Sequence, residues 1–495
     1  MRSSAVNTDV LIVGAGPVGL FLANECARRG LRWRLVEERS SQSEHSKALA
    51  IFPRTLEIFD MAGVVAPFLE KANRVTSVAI LTHDRALTHM RFTLGDSPYS
   101  FVAMVPQDVT EKLLLEELRH RGGDVDYQTR FVSLRQHDEF ISVRLDHNGK
   151  PINLKASFVV GCDGAHSAVR HQLQLPFEGA EYRGSFLLAD VETNETLPAD
   201  EMQLCPSELG PVAIFPMSPS RRRVVATIEN TEGEVPSLTL VRKILIQRAP
   251  TGIEALALHW SSYFQIHHRQ VARLRQDRVF IAGDAAHIHS PFGGQGMNTG
   301  LHDVWNLAWK LDLFLHGHGN EQLLDSYSAE RLPIIKNVIE TTHLLTKAMA
   351  TPNKVAQAIR DTVIPMVSRL APLQHAFVRR LSELGVAYHG SPIVDGDGER
   401  HFDDSLRGGE GIRSRFLLLF DDQADPSDKD AVKRLCASFK DILELRFWPR
   451  HLALLVRPDG YIAYSAHSRH SIAELPSMRS LLERQTSRWP GTLAA

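Results

Sequence analysis

The apolar and polar positions of this chain first fall into order near its N-terminus. Asp9-Val-Leu-Ile-Val13 is short, apolar and β-branched, and it runs into glycine, the pattern of a strand buried on both faces. From Pro17 to Arg29 the spacing turns helical, with Leu20, Ala23 and Ala27 on one face and Gly30 as the stop. Arg34 to Glu37 resumes a strand, so the three segments predict a βαβ unit. Phe158–Gly161 and Val279–Ala282 are further short apolar strands, each entering a Gly/Asp turn. Asp108 to Arg121 reads as a helix, with Asp108 as its cap, Glu111 completing a capping box, Leu114 and Leu118 on one face, and Gly122-Gly123 at its end. Leu301, Val304, Leu307, Ala308 and Leu311 make a helical stripe, and a second long helix is predicted from Asp325 to about Met349. Between 180 and 270 the pattern alternates as antiparallel sheet does.

Near Gly390 to Gly411 the composition turns to glycine and aspartate, a domain boundary. Beyond it Arg415–Phe420, Leu452–Val456 and Tyr461–Tyr464 read as strands, with Pro458-Asp459-Gly460 as a turn. The expected architecture is α/β: a Rossmann-like dinucleotide-binding domain in two parts, 1–180 and 271–390, an interleaved antiparallel substrate sheet at 181–270, and a small C-terminal α/β domain at 391–495. Composition changes this picture little. A chain of 495 residues with 43% hydrophobic and 23% charged residues has the makeup of a globular protein with several cores. A net charge of −2 gives no field to draw nucleic acid or an anionic membrane. Cys26, Cys162, Cys205 and Cys436 are scattered, which excludes a C-x-x-C pair and fits a reducing compartment. With no signal-like segment and no apolar run long enough to span a bilayer, the expectation is a cytoplasmic enzyme.

The chemistry starts at Gly14-Ala-Gly16-Pro17-Val-Gly19, a G-x-G-x-x-G between a strand and a helix. Gly14 permits the tight turn, Gly16 lets a pyrophosphate approach the backbone, and Gly19 lets helix and strand pack closely. The phosphates then meet the N-terminus of the helix that Pro17 opens. Glu37, at the end of the next strand, is placed to accept hydrogen bonds from a ribose, with Glu38 as the alternative. No second such motif follows a strand. Histidine pairs such as His267-His268 and His287/His289 lack a Cys or carboxylate cluster at ligand spacing, so no metal site is expected.

Two later segments select the cofactor. Gly161-Cys-Asp163-Gly164-Ala-His-Ser167 and Gly283-Asp284-Ala-Ala-His287, the latter with Pro291 and Gly293-Gly-Gln-Gly296-Met297-Asn298, resemble the flavin-binding segments of the para-hydroxybenzoate hydroxylase family, the class A flavoprotein aromatic hydroxylases. The resemblance covers roughly residues 8 to 350. It implies FAD as cofactor, NADPH or NADH as transient co-substrate, and hydroxylation of a small aromatic substrate with O2 through a flavin C4a-hydroperoxide. It implies that Asp284 binds the ribitol, with Gln107 nearby. Gly296, Met297 and Asn298 are implied to meet the pyrimidine edge of the isoalloxazine. Lys47 and Arg54 fall in a segment passing close to the cofactor, and Asp163 and Arg170 in one tied to FAD and nicotinamide. The C-terminal segment resembles the thioredoxin-like domain of larger members, without the redox C-x-x-C, and its implied role is structural, including subunit contacts in a homo-oligomer.

The substrate pocket is expected between the FAD domain and the 180–270 sheet, with Phe215, Pro216 and Met217 as lining. Phenol hydroxylases of the family carry an Asp where this chain has Ala48-Leu49-Ala50, so Leu49 removes that route to phenol deprotonation and no catalytic base is assigned. An already acidic phenol or a polyketide-type ring needs less help. Baeyer–Villiger insertion or oxidative dehalogenation with the same flavin, and a non-catalytic FAD-binding protein, are the alternative readings.

Overall fold

The computed structural model describes residues 7–486 except 44–45, 84, 182–183, 195–196, 230, 232, 266, 291–292, 350–356, 358–360, 367–369, 408–414, 451 and 467–470. Its organising element is a sheet whose path runs Arg275–Gln276, Val279–Ile281, Lys150–Gly161, Thr8–Val13 and Trp33–Val36. The pairings among the last four strands are parallel. Val10, Leu11 and Ile12 are fully buried, because Leu20 and Phe21 of helix Pro17–Arg28 and Leu301 and Val304 of helix Gly296–Leu315 share one core with them. The strand ending at Gly161 begins at Lys150, well before Phe158. Its first half pairs antiparallel with Ile141–His147, which pairs in turn with Thr129–Gln136.

The helix expected at 108–121 spans Gln107–His120 and has no side-chain cap. Pro106, in extended conformation, occupies the cap, so the helix opens one residue early and the capping box is not formed. Asp108 lies inside the first turn, where its charge still favours the N–H ends of the helix. Glu111 instead accepts from Gln107 Nε2 at 2.9 Å.

A second sheet of seven strands runs Ala255–Phe264, Ser185–Thr193, Arg221–Ile228, Val212–Pro216, Glu201–Cys205, Ser77–Leu81 and Ala86–Arg91. The last two come from the block expected to belong wholly to the first domain, so the sheet expected at 181–270 is not confined to those residues. Helix Leu238–Arg248 covers one face, packing Val241 and Ile244 on Leu187, Ala189, Ile214 and Val224. The other face, with Phe186, Leu188, Phe215 and Val225, shares a core with Leu49, Ala50 and Phe52.

The C-terminal sheet runs Leu443–Trp448, Phe416–Asp421, Ala453–Val456 and Ile462–Ala466, with the first pair parallel and the others antiparallel. Helices Pro426–Ser438 and Leu475–Thr486 accompany it. Phe416, Leu418 and Phe420 share a core with Trp309, Leu313 and Leu323 of the long helices Gly296–Leu315 and Glu321–Met349. This unit is therefore docked on the rest of the chain through buried apolar surface. Among the described residues, no helix is long and apolar enough to cross a membrane.

Candidate active site

Strand register creates the site. Val13 lies beside Gly161, and Gly161 beside Ile281, so three Gly-containing turns leave one edge of the sheet together. The ladder continues into the turns: Gly14 N–H donates to the Val36 carbonyl at 2.8 Å, Cys162 N–H to Val13 at 2.8 Å, and Ala282 N–H to Gly161 at 3.0 Å. Residues far apart in sequence thus meet at the carboxyl ends of parallel strands, where α/β folds bind ligands.

Each glycine of the first turn has a separate physical reason. Gly14 has φ +100°, and a Cβ there would lie 2.5 Å from the Cys162 carbonyl oxygen. A Cβ on Gly19 would run into the Gly14 carbonyl. Beside Gly16 nothing lies within 4 Å, which leaves open space over the start of helix Pro17–Arg28. Glu37 is buried. Its Oε2 accepts from Ala15 N–H at 2.8 Å and its Oε1 from Arg39 N–H and Nε at 3.1 and 2.9 Å. Burial alone would raise its pKa, but these donors hold it below the ordinary carboxylate range. Glu38 is exposed.

The second and third turns are braced differently. Asp163 accepts from Ser167 Oγ at 2.5 Å and Val169 N–H at 3.1 Å, so its carboxylate serves its own turn. Arg170 bridges outward, donating to the Ala285 carbonyl at 2.9 Å and the Ala165 carbonyl at 2.8 Å. It thereby fastens the second turn to the third. Asp303, fully buried, accepts from Gly283 N–H at 3.1 Å, His287 Nε2 at 2.7 Å and Arg331 Nε at 2.8 Å, which fixes the third turn on helix Gly296–Leu315. Asp284 stands apart. It is exposed, and among the described residues its carboxylate has no hydrogen-bond partner. Surrounding protein pushes its pKa above the ordinary range, against the pull of His287 and Lys47. Lys47 is itself exposed, within electrostatic reach of that carboxylate.

The segment from Ser46 to Arg54 is held by its main chain. Gln107 Oε1 accepts from Ala48 N–H at 3.1 Å. Asn298 spans the gap to the long helix: its Nδ2 donates to the Ala50 carbonyl at 2.9 Å, and its Oδ1 accepts from Phe52 N–H at 3.0 Å and Thr55 Oγ at 2.8 Å. The Asn298 side chain and Gln107 Oε1 are thus spent on this segment, while Gln107 Nε2 donates to Glu111. The Met297 side chain is buried in the main core. Among the described residues, what 296–298 leave open is the first-turn N–H groups of their helix, which have no intrahelical partners. Arg54 is directed elsewhere: it is fully buried, bonded to Glu57 at 2.9 Å and the Asp459 carbonyl at 3.2 Å, and stacked over Tyr461. Pro291 lies outside the described residues.

One tie was missed in the sequence. Arg223 forms a two-pronged ion pair with Asp190 at 2.7 and 2.8 Å and donates to the Ala48 carbonyl at 3.1 Å, so the second sheet grips the Ser46–Arg54 segment. In Arg221-Arg222-Arg223 only strand parity could have singled it out. Phe215 and Pro216 are buried in this sheet and Met217 is half-buried. The Pro216 carbonyl accepts from Asn73 Nδ2 at 3.2 Å.

These features fit an extended dinucleotide: an open cradle at Gly16 with a buried acid behind it at Glu37 and, among the described residues, a carboxylate at Asp284 without a hydrogen-bond partner and first-turn N–H groups at Gly296–Asn298 without acceptors outside their helix. The FAD binding domain family model matches residues 7–342. A 6-methylpretetramide 4-monooxygenase from Streptomyces rimosus is 31% identical over 471 residues, covering 93% of this chain and 81% of its own. A rifampicin monooxygenase from Streptomyces venezuelae is 30% identical over 475 residues, covering 94% of this chain and 97% of its own. The solved structure of an anhydrotetracycline hydroxylase from Streptomyces rimosus has a TM-score of 0.79 at 28% identity, over 97% of this chain and 99% of that one. The chain belongs to the FAD-binding domain family, and within it to the flavin-dependent aromatic monooxygenases.

Proposed function

We propose that the protein hydroxylates an aromatic ring of phenolic or polyketide-like type, with NADPH or NADH as reductant and O2 as the source of the inserted oxygen. The observation that carries this reading is the register that brings the turns after Val13, Gly161 and Ile281 to one edge. FAD, when bound and reduced, supplies the oxygen activation. The chain's own residues do the rest. Gly14, Gly16, Pro17 and Gly19 receive the pyrophosphate on the helix N-terminus, and Glu37 takes the adenosine ribose. Asp284 accepts from the ribitol, with Lys47 within electrostatic reach. The N–H groups of Gly296–Asn298 favour the negative charge that a reduced flavin carries at its pyrimidine edge.

The substrate would lie on the sheet face of Phe186, Leu188 and Phe215, opposite Leu49 and Ala50. That face is apolar, which suits a large ring and keeps water from the reacting centre. The relatives named for 6-methylpretetramide, rifampicin and anhydrotetracycline support a substrate larger than a simple phenol. The C-terminal sheet order supports a thioredoxin-like unit without the redox dithiol. Aerobic NADPH oxidation, with and without candidate aromatic substrates, tests the reading when product mass is measured. A gain of one oxygen with the ring intact is expected. A lactone or a lost halide would favour the alternative oxidations, and no substrate-stimulated oxidation would favour a non-catalytic role.

A further inference from the structure

The turn Arg457-Pro-Asp459-Gly460 enters the molecule between the two segments that face the cofactor cradle. Arg457 and Asp459 are fully buried. The Asp459 carbonyl accepts twice, from Trp305 Nε1 at 3.1 Å and from Arg54 at 3.2 Å. One donor sits on helix Gly296–Leu315 and the other on helix Pro53–Met61, which continues from the Ser46–Phe52 segment. Asp459 Oδ2 also receives Asn306 Nδ2 at 3.4 Å. Arg457 bonds both oxygens of Asp459, at 3.0 and 2.6 Å, and both oxygens of Glu330, at 2.5 and 2.9 Å. Glu330 in turn takes Lys310 at 2.7 Å and Asn306 at 2.7 Å. Gly460 has φ +78°, and a Cβ there would press on Met61 Sδ at 2.9 Å, so only glycine fits this turn against that helix.

The same two segments meet a second time, at Asn298 on the cofactor side. A helix is stiff along its axis, so its position at Trp305 and Asn306 sets where its first turn lies. We propose that Asp459 is a positioning residue for the flavin: its main-chain carbonyl, bonded to Arg54 and Trp305, fixes the separation of the Ser46–Phe52 segment and the Gly296–Asn298 turn between which the isoalloxazine is held, and its side chain holds that carbonyl in place through Arg457 and Asn306. This rests on FAD occupying the cradle, and it gives the C-terminal unit a part in the chemistry.

The test uses full-length holoenzyme, with FAD binding by the unaltered chain established first. Asp459→Asn keeps the carbonyl and the size but weakens the side-chain anchor to Arg457 that holds it, and Trp305→Phe removes one donor to that carbonyl while keeping a ring. Leu481→Ala, in the core of the C-terminal unit away from the turn, is the control for lost stability. Visible circular dichroism of bound FAD, its dissociation constant and the flavin midpoint potential are compared at matched loss of Tm. Asp459→Asn and Trp305→Phe should change the dichroism and weaken FAD binding by about tenfold, as losing one buried hydrogen bond does. Leu481→Ala should leave both unchanged. If all three variants lose FAD only in proportion to Tm, or if Trp305→Phe folds with unaltered flavin signals, the proposal is overturned. Should Asp459→Asn fail to fold, Trp305→Phe alone decides.

Discussion

The carboxylate of Glu37 accepts a hydrogen bond from the main-chain N–H of Ala15 at 2.8 Å, so the acid ending the second strand is built into the glycine turn. Removing it should loosen the turn as well as lose a ribose contact. Glu37→Ala should cost about 1–3 kcal/mol in the apoprotein and weaken FAD binding by more than that loss accounts for. Thermal unfolding of the apoprotein, with FAD titration, separates the two effects.

Gly16 and Gly19 should respond in opposite ways to the same substitution. Gly16→Ala meets nothing within 4 Å, so the apoprotein should keep its Tm while FAD binding fails, because the methyl occupies the cradle. Gly19→Ala meets the Gly14 carbonyl and should destabilise the apoprotein itself, despite alanine's better helix propensity. Equal Tm losses in the two variants would contradict the assigned roles.

Asp284 offers a test by sign. Its carboxylate is accessible, raised in pKa, and without a hydrogen-bond partner among the described residues. Asp284→Ala should leave apoprotein stability unchanged or slightly improved, and should weaken FAD binding by about 1–3 kcal/mol. A fall in apoprotein Tm with normal flavin content would show that the residue serves the fold.

Much of this site was legible because its signals are local. The strand at Val10–Ile12, the glycine turn and Glu37 are set by near neighbours in sequence. The ties that complete the site are not: Asn298 reaches Phe52 across 246 positions, and Arg223 reaches Asp190 across 33. No local pattern marks an asparagine or glutamine as a brace, so the side-chain bonds by which Asn298 and Gln107 hold the backbone were not legible in the sequence. Ser77–Leu81 was not legible as a strand of the second sheet because it pairs with Glu201–Cys205, far along the chain. The capping box failed for a local reason that was visible: Pro106 precedes Gln107. Arg54 pairs with Glu57 three residues on, a spacing that the sequence offers without selecting.

Acid should expose another buried charge. Burial alone would raise the pKa of Glu25, but Arg28 and Arg29 outweigh it and hold the carboxyl at about 2. A carboxylate whose folded pKa lies below its unfolded value, about 4.3, contributes stability above that value and loses it as pH falls through the folded one. Roughly 3 kcal/mol should therefore disappear between about pH 4.5 and 2. Glu25→Gln should flatten this limb of the stability curve, measured by urea unfolding across that range. An unchanged slope would remove Glu25 from the account.

The central claim is a flavin-dependent oxygen insertion into an aromatic ring. Turnover under 18O2, with FAD, NADPH and an accepted aromatic substrate, tests it most directly by product mass. The account predicts one atom of 18O in a ring-hydroxylated product, with the other oxygen appearing as water. Product oxygen drawn from water, or coenzyme oxidation that yields only hydrogen peroxide with every substrate accepted at the site, would contradict it.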